Sequence, residues 1–435
     1  MAAHTAVIDA RRSRQALLAG SVGNFIEWYE FGVYGFLATV IAANFFTLQG
    51  ESEITSLILT YAAFALAFFC RPIGAVIFGR IGDRIGRRPT LIAVLLLMTL
   101  ATALIGVMPT YAAIGVAAPL LLTLLRMLQG LFAGGEFGGA VSLMTEFAPP
   151  GKRGQYGAWQ SLTVALGLLA GAGLVTLLAA LLSKEQLYQW GWRIPFLLAL
   201  PMGAVALWLR LKLEETPTFT QAQRAPRTDT APAASLRGVV TTILLGIGRM
   251  MGWSAAGYTF LVVMPSYLQT SLHATFQQAL VATVLANVGF ALTILPAGIL
   301  SDRWGRKTVM LTAMLAVILF TFPLLHLLQD TQSSLAIKGI AVLTAGAVVG
   351  LLAGPGPAML AEMFPTRVRY TGLGLAYSLS NAVFSGSAGL IITGLIKQTG
   401  NIDIPAYYVV ATSLVSLLAL MTLRRDDHLR SLNER

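Results

Sequence analysis

Apolar stretches of roughly 20 to 30 residues follow one another along almost the whole chain, parted by short polar or glycine-rich turns. A bilayer core is about 30 Å thick and a helix rises about 1.5 Å per residue, so runs of this length predict transmembrane helices. Hydropathy windows place twelve spans at 15–46, 54–79, 89–108, 114–145, 155–182, 193–211, 238–268, 275–300, 309–328, 334–358, 369–396 and 404–423. The pattern predicts an all-α integral membrane protein with both termini on one side.

Composition agrees. Of the 435 residues, 56% are hydrophobic and 11% charged, far below the roughly 25% charged residues of soluble domains. The basic N-terminus runs into its apolar stretch without a small-residue cleavage site, so the first span reads as retained. The single cysteine, Cys70, excludes an intramolecular disulfide, and the four histidines are too scattered to form a metal site.

A net charge of +11 would suggest nucleic acid in a soluble protein. Here most of the 30 Lys and Arg residues fall at the termini or in the even-numbered loops. The positive-inside rule then puts both termini in the cytoplasm, and no nucleic-acid partner is expected. The polar stretch KLEETPTFTQAQRAPRTDTAPAASLR reads as a cytoplasmic linker at 212–237, between six-helix halves at 1–211 and 238–435.

An internal repeat supports the division. GRIGDRIGRRPT at 79–90 returns as GILSDRWGRKTV at 298–309, pairing Asp83 with Asp302 and Arg87 with Arg306 at an offset of 219. EFAPPGKR at 146–153 returns as EMFPTRVR at 362–369 at an offset of 216. Two motifs repeating at half the chain length, on the same side, imply duplication of a six-helix unit.

With its two parallel halves and repeated G-x-x-x-D-R-x-G-R-R/K turn, the chain resembles the major facilitator superfamily over essentially its whole length. GNFIEWYEFGVYGF at 23–36, RPIGAVIFGRIGDRIGRR, LRMLQGLFAGGEFGGA, WGWRIPF and LEETPTF together resemble its metabolite:proton symporters. Those take up α-ketoglutarate, citrate, shikimate, or proline and betaine. The resemblance implies a conformational latch at Asp83, Arg87, Asp302 and Arg306 that stabilises the outward-facing state. It also implies a bacterial inner-membrane location.

Charges inside spans are costly, about 2.5–3.5 kcal/mol each at mid-helix, so they line cavities or find partners. Glu27, Glu30, Arg126, Glu136 and Arg249 are such charges, with Arg71 nearer an end. Depth along the helices puts Glu27 and Arg126 at about the same level, which predicts an ion pair whose carboxylate exchanges a proton. Glu30 shares the Glu27 face. The repeat sets Arg249 opposite Glu30, as an anchor for a substrate carboxylate, with Arg126 a second candidate for that role. Glu136, among glycines toward the cytoplasmic side, suits a gate, a proton exit or an interhelical hydrogen bond. Trp253, Tyr258, Tyr34, Trp28 and Trp159 are candidate pocket aromatics, and Gln160, Asn287 and Asn381 candidate polar wall. LAGPGPAML at 352–360 is a candidate hinge in span 10.

No phosphate-binding loop or hydrolase motif is present, which disfavours an enzyme and an ATP-driven pump. The expectation is a monomeric proton-coupled symporter that imports a small organic acid by alternating access, with no cofactor beyond the coupling proton and the lipid bilayer around it. The alternatives are a symporter for a zwitterionic osmolyte such as proline or glycine betaine, a proton-antiport exporter of the same fold, and a non-transporting sensor.

Overall fold

A computed structural model of the chain describes residues 10–46, 52–85, 87–146, 148–149, 151–211, 236–364, 369–424 and 429. The side chains of Asp83 and Arg87 and most of the expected linker at 212–237 lie outside the described residues.

Among the described residues every regular element is helical. Eleven helices are long and apolar enough to cross a membrane unbroken: Glu53–Gly79, Pro89–Val107, Ala117–Ser142, Arg153–Leu181, Lys184–Leu211, Gly238–Leu272, Phe276–Trp304, Arg306–Gln329, Leu335–Ala361, Thr371–Thr399 and Ile404–Met421. These are spans 2 to 12. Span 1 is a bent pair, Gly20–Phe36 and Ala38–Phe46, meeting at 62°. Its break at Leu37 was not visible in hydropathy, because both arms are apolar.

The duplication extends to irregularities. Span 1 contains a π turn at Ala42–Phe46 and span 7 another at Thr259–Val263, 217 residues later. That separation lies between the two motif offsets. The end of the molecule carrying the turns at 80–88 and 303–307 is called the basic end below.

Glycine sets how closely the helices approach. A Cβ at Gly130 or Gly134 of span 4 would run into the carbonyl oxygens of Ala67 and Arg71 on span 2. The two backbones therefore touch beside Arg71, with Arg126 one turn away on the same helix. Across the interface between halves, the heaviest packing joins span 5 to span 8 and span 2 to span 11.

Candidate transport site

Where the halves meet, a central cavity of about 40 Å³ is lined by Trp28, Trp253, Tyr258 and Tyr377, with Gln160, Ser161, Ser254, Asn381 and Ser385 among its polar walls. Helices from both halves supply them: spans 1 and 5 from one, spans 7 and 11 from the other. Among the described residues, no Asp, Glu, Lys or Arg lines it. The polar groups are mutually braced. Ser385 donates to Asn381 Oδ1 at 2.7 Å, Ser254 and Ser380 share a hydrogen bond of 3.3 Å, and Gln160 Nε2 donates to Asn24 Oδ1 at 3.3 Å. The Tyr258 hydroxyl is buried without a hydrogen-bond partner. Trp253, Tyr258, Gln160 and Asn381 thus line the place where sequence reasoning expected substrate, whereas Tyr34 does not. Its hydroxyl donates to the Thr60 carbonyl at 3.1 Å, and its ring faces Arg126. Trp159 is on the outer surface.

Glu27, Glu30, Arg71 and Arg126 are buried in the N-terminal half. Glu27 Oε1 pairs with Arg71 Nη1 at 2.9 Å, not with Arg126. The Arg71 guanidinium lies 4.3 Å from each of the Phe31 and Phe68 ring centroids and 5.6 Å from that of Trp28. Arg126 Nη1 donates to Gln129 Oε1 at 2.7 Å; Gln129 Nε2 donates to Thr102 Oγ1, and Thr102 donates to Glu30 Oε2 at 2.7 Å. Faces of Tyr34, Phe31 and Phe64 cover the Arg126 guanidinium at 4.1, 4.6 and 5.2 Å. Each such contact is worth about 0.5–2 kcal/mol, so three of them offset part of the several kcal/mol that burying a cation costs.

The equal-depth argument for a Glu27–Arg126 pair is corrected by side-chain direction. Helical side chains tilt toward their own N-terminus. Span 1 starts at the basic end and span 4 at the other, so the head groups of Glu27 and Arg126 tilt apart. Span 2 also starts at the far end, so Arg71, though placed near the basic end, tilts inward to meet Glu27.

The same rule corrects Arg249. Span 7 starts at the basic end, and the Arg249 side chain runs back toward it. Nη2 reaches Thr422 Oγ1 at 2.8 Å, and Nε reaches the Ala419 carbonyl at 3.4 Å. Arg249 lines a second cavity of about 190 Å³ with Glu362, Met359 and Thr242, away from the central one and from Glu30. Glu136 pairs with Arg210 at the end of span 6, the interhelical contact that was one of its three expected roles. A Cβ at residue 23 would overlap both head groups, so Gly23 is the space they occupy. Asn287 donates to the carbonyls of Thr283 and Leu261 and does not line the cavity.

Contacts join the two halves at both ends of the bundle. At the basic end Asp302 accepts from the backbone N–H groups of Gly154 and Gln155 at 2.7 and 2.9 Å, at the N-terminus of span 5. Arg306 binds Asp302 at 2.8 Å and Glu362 at 3.0 Å, and Glu362 also meets Arg153 at 3.5 Å. The rings of Phe137 and Tyr377 stack across the halves at 3.3 Å. At the opposite end Tyr61 and Ser266 share a hydrogen bond of 2.7 Å, and Lys397 Nζ donates to Thr55 Oγ1 at 2.7 Å. A carboxylate on the free N–H groups and positive dipole of a helix N-terminus is favourable, and here it joins one half to the other.

Comparisons with known proteins bear on what such a molecule is. The family model described as sugar (and other) transporter matches residues 16–239, and that of the major facilitator superfamily matches 239–435. The glycine betaine/proline/ectoine/pipecolic acid transporter OusA of Dickeya dadantii is 34% identical over 424 residues, covering 95% of this chain and 83% of the relative. The proline/betaine transporter of Escherichia coli strain K12 is 33% identical, covering 96% and 85%. The chain belongs to the major facilitator superfamily.

Within the superfamily, the resemblance to its metabolite:proton symporters holds at the level of these relatives, which are transporters and not enzymes. The ectoine/proline transporter ProP of Corynebacterium glutamicum is also 34% identical over 430 residues, covering 95% of this chain and 84% of it. The fold matches the solved proton:xylose symporter XylE bound to 6-bromo-6-deoxy-D-glucose, with a TM-score of 0.79 at 17% identity and 95% coverage of both chains. This multi-pass superfamily member keeps three site residues that sequence reasoning missed. Arg71 was set aside as near an end, and Arg210 and Asn24 were overlooked, although Asn24 joins span 1 to Thr163 at 2.7 Å. The signal for Asn24 was its place beside Gly23 in an otherwise apolar helix.

Proposed function

We propose that the protein is a proton symporter for a zwitterionic osmolyte such as glycine betaine or proline, taken up by alternating access. One observation carries this reading: the cavity between the halves has four aromatic walls and neutral polar groups and, among the described residues, no charged side chain on its lining. Quaternary ammonium groups are held by faces of Trp and Tyr, and a net-neutral zwitterion needs no counter-charge in the wall. A di- or tricarboxylate does need one, and Arg249, the anchor expected for it, faces another cavity. The proline and betaine named for the relatives support the same choice.

In this reading the coupling proton is carried by Glu27 or Glu30, each of which has a buried carboxylate oxygen without a hydrogen-bond partner. Asp302, Arg306 and Glu362 hold the basic end shut, and the Tyr61–Ser266 contact the other end. The proton is the only coupling agent required, and each monomer works alone. The basic turns put both termini on the cytoplasmic side of a bacterial inner membrane.

Purified protein in proteoliposomes tests this. With a proton gradient, acid outside and negative inside, labelled glycine betaine or proline should accumulate and collapse on adding a protonophore. Accumulation of citrate or α-ketoglutarate in place of both would overturn the reading.

A further inference from the structure

The Arg71–Glu27 pair adjoins Trp28 of the central cavity's wall, and nothing described so far uses the rest of its hydrogen-bonding capacity. Arg71 spends Nη1 on Glu27, while its Nε and Nη2 are buried without a partner, as is Glu27 Oε2. Next to this pair are Trp28 and Tyr258, tilted rings with centroids 6.0 Å apart. Tyr258 lines the cavity, packs edge-on against Phe68 at 5.3 Å, and holds the unpartnered hydroxyl already noted. Phe68 is one of the two rings that sandwich Arg71. Three buried donor atoms without an acceptor, two on Arg71 and one on Tyr258, therefore belong to residues that both pack on the Phe68 ring.

Buried donors are rarely left unmade, because each costs about 1–3 kcal/mol. Unmet donors that include a guanidinium suit a carboxylate. We infer that Arg71 and Tyr258 receive the carboxylate of the zwitterion while its cationic end stays among the cavity aromatics, and that Arg71 releases Glu27 as it does so. This rests on the osmolyte reading above and names how that substrate is held. The charged groups around Glu27 are Glu30 on its own span, Arg71 from span 2, Glu136 from span 4 and Arg210 from span 6, with the phenols of Tyr258 and Tyr377 on spans 7 and 11. Arg210 is held by Glu136 and by the Leu91 carbonyl at 2.6 Å. Once Arg71 turns to the substrate, Glu27 keeps no ion-pair partner and takes up a proton from water. One charge is exchanged for another at Arg71, so one proton enters with each carboxylate.

The inference predicts opposite signs for two substitutions. Binding is read by quenching of tryptophan fluorescence in purified full-length protein, titrated with glycine betaine and, separately, with choline, which has the same cation and no carboxylate. Tyr258→Phe should weaken glycine betaine about tenfold, the worth of one charge-assisted hydrogen bond, and leave the weaker choline binding unchanged. Glu27→Gln removes the competitor for Arg71 and should tighten glycine betaine several-fold; a merely structural role for Glu27 would weaken it. If wild type binds glycine betaine while both variants bind it within twofold of wild type, or if Tyr258→Phe weakens choline equally, the inference falls and the osmolyte reading stands. If wild type binds neither glycine betaine nor proline, both fall.

Discussion

Arg71 reaches Glu27 at 2.9 Å and lies between the rings of Phe31 and Phe68, so an ion pair and a cation–aromatic stack share one guanidinium in the interior of the N-terminal half. Breaking such a pair from one side strands a buried charge.

Arg71→Ala should therefore lower stability by about 3–5 kcal/mol, the usual cost of an uncompensated buried partner. The double variant Arg71→Gln, Glu27→Gln, which strands no charge, should recover more than half of that loss. Thermal unfolding in detergent of wild type, Arg71→Gln, Glu27→Gln and the double variant closes the cycle, and strict additivity would disprove the coupling.

Gly23 leaves room for the Glu136–Arg210 pair. Gly23→Ala should reduce folded yield and melting temperature, whereas Gly173→Ala, at a position with open space around it, should change neither. Size-exclusion profiles of the two variants make the comparison, and equal behaviour would refute the steric argument.

Asp302 joins span 8 to the N-terminus of span 5, while Tyr61 joins span 2 to span 7 at the other end. Asp302→Ala should shift the population toward opening at the basic end, and Tyr61→Phe toward opening opposite. Spin-label distances across each end should lengthen in one variant and not in the other. Each single change is worth about 1–3 kcal/mol, or 5- to 150-fold in population.

The Glu30 carboxylate is tied through Thr102 and Gln129 to Arg126. If it carries the coupling proton, Glu30→Gln should abolish uphill accumulation while substrate exchange across equilibrated vesicles persists. Uphill uptake equal to wild type would assign the proton elsewhere.

Trp253 faces the cavity from the C-terminal half, against Gly356. Trp253→Leu keeps apolar bulk and removes the π face, and should weaken glycine betaine about fivefold to thirtyfold, matching about 1–2 kcal/mol for a desolvated cation–π contact. Unchanged affinity would remove Trp253 from the site.

The number and order of the spans, the half-length repeat, and the charged positions within the spans were legible in the sequence. Those follow from hydropathy, from basic loops and from repeated motifs, all properties of local composition. Depth was legible too, since rise per residue is fixed. Partner choice was not. Depth gives one coordinate of a side chain, while a contact also needs the helix's rotation, its distance from its neighbour and the tilt of the Cα–Cβ bond. Those terms paired Glu27 with Arg71 in place of Arg126, turned Arg249 toward Thr422, and bent span 1 at Leu37. They are set by packing, above all by Gly130 and Gly134 pressing span 4 onto span 2. That contact joins residues about 60 positions apart, and only the folded bundle brings them together.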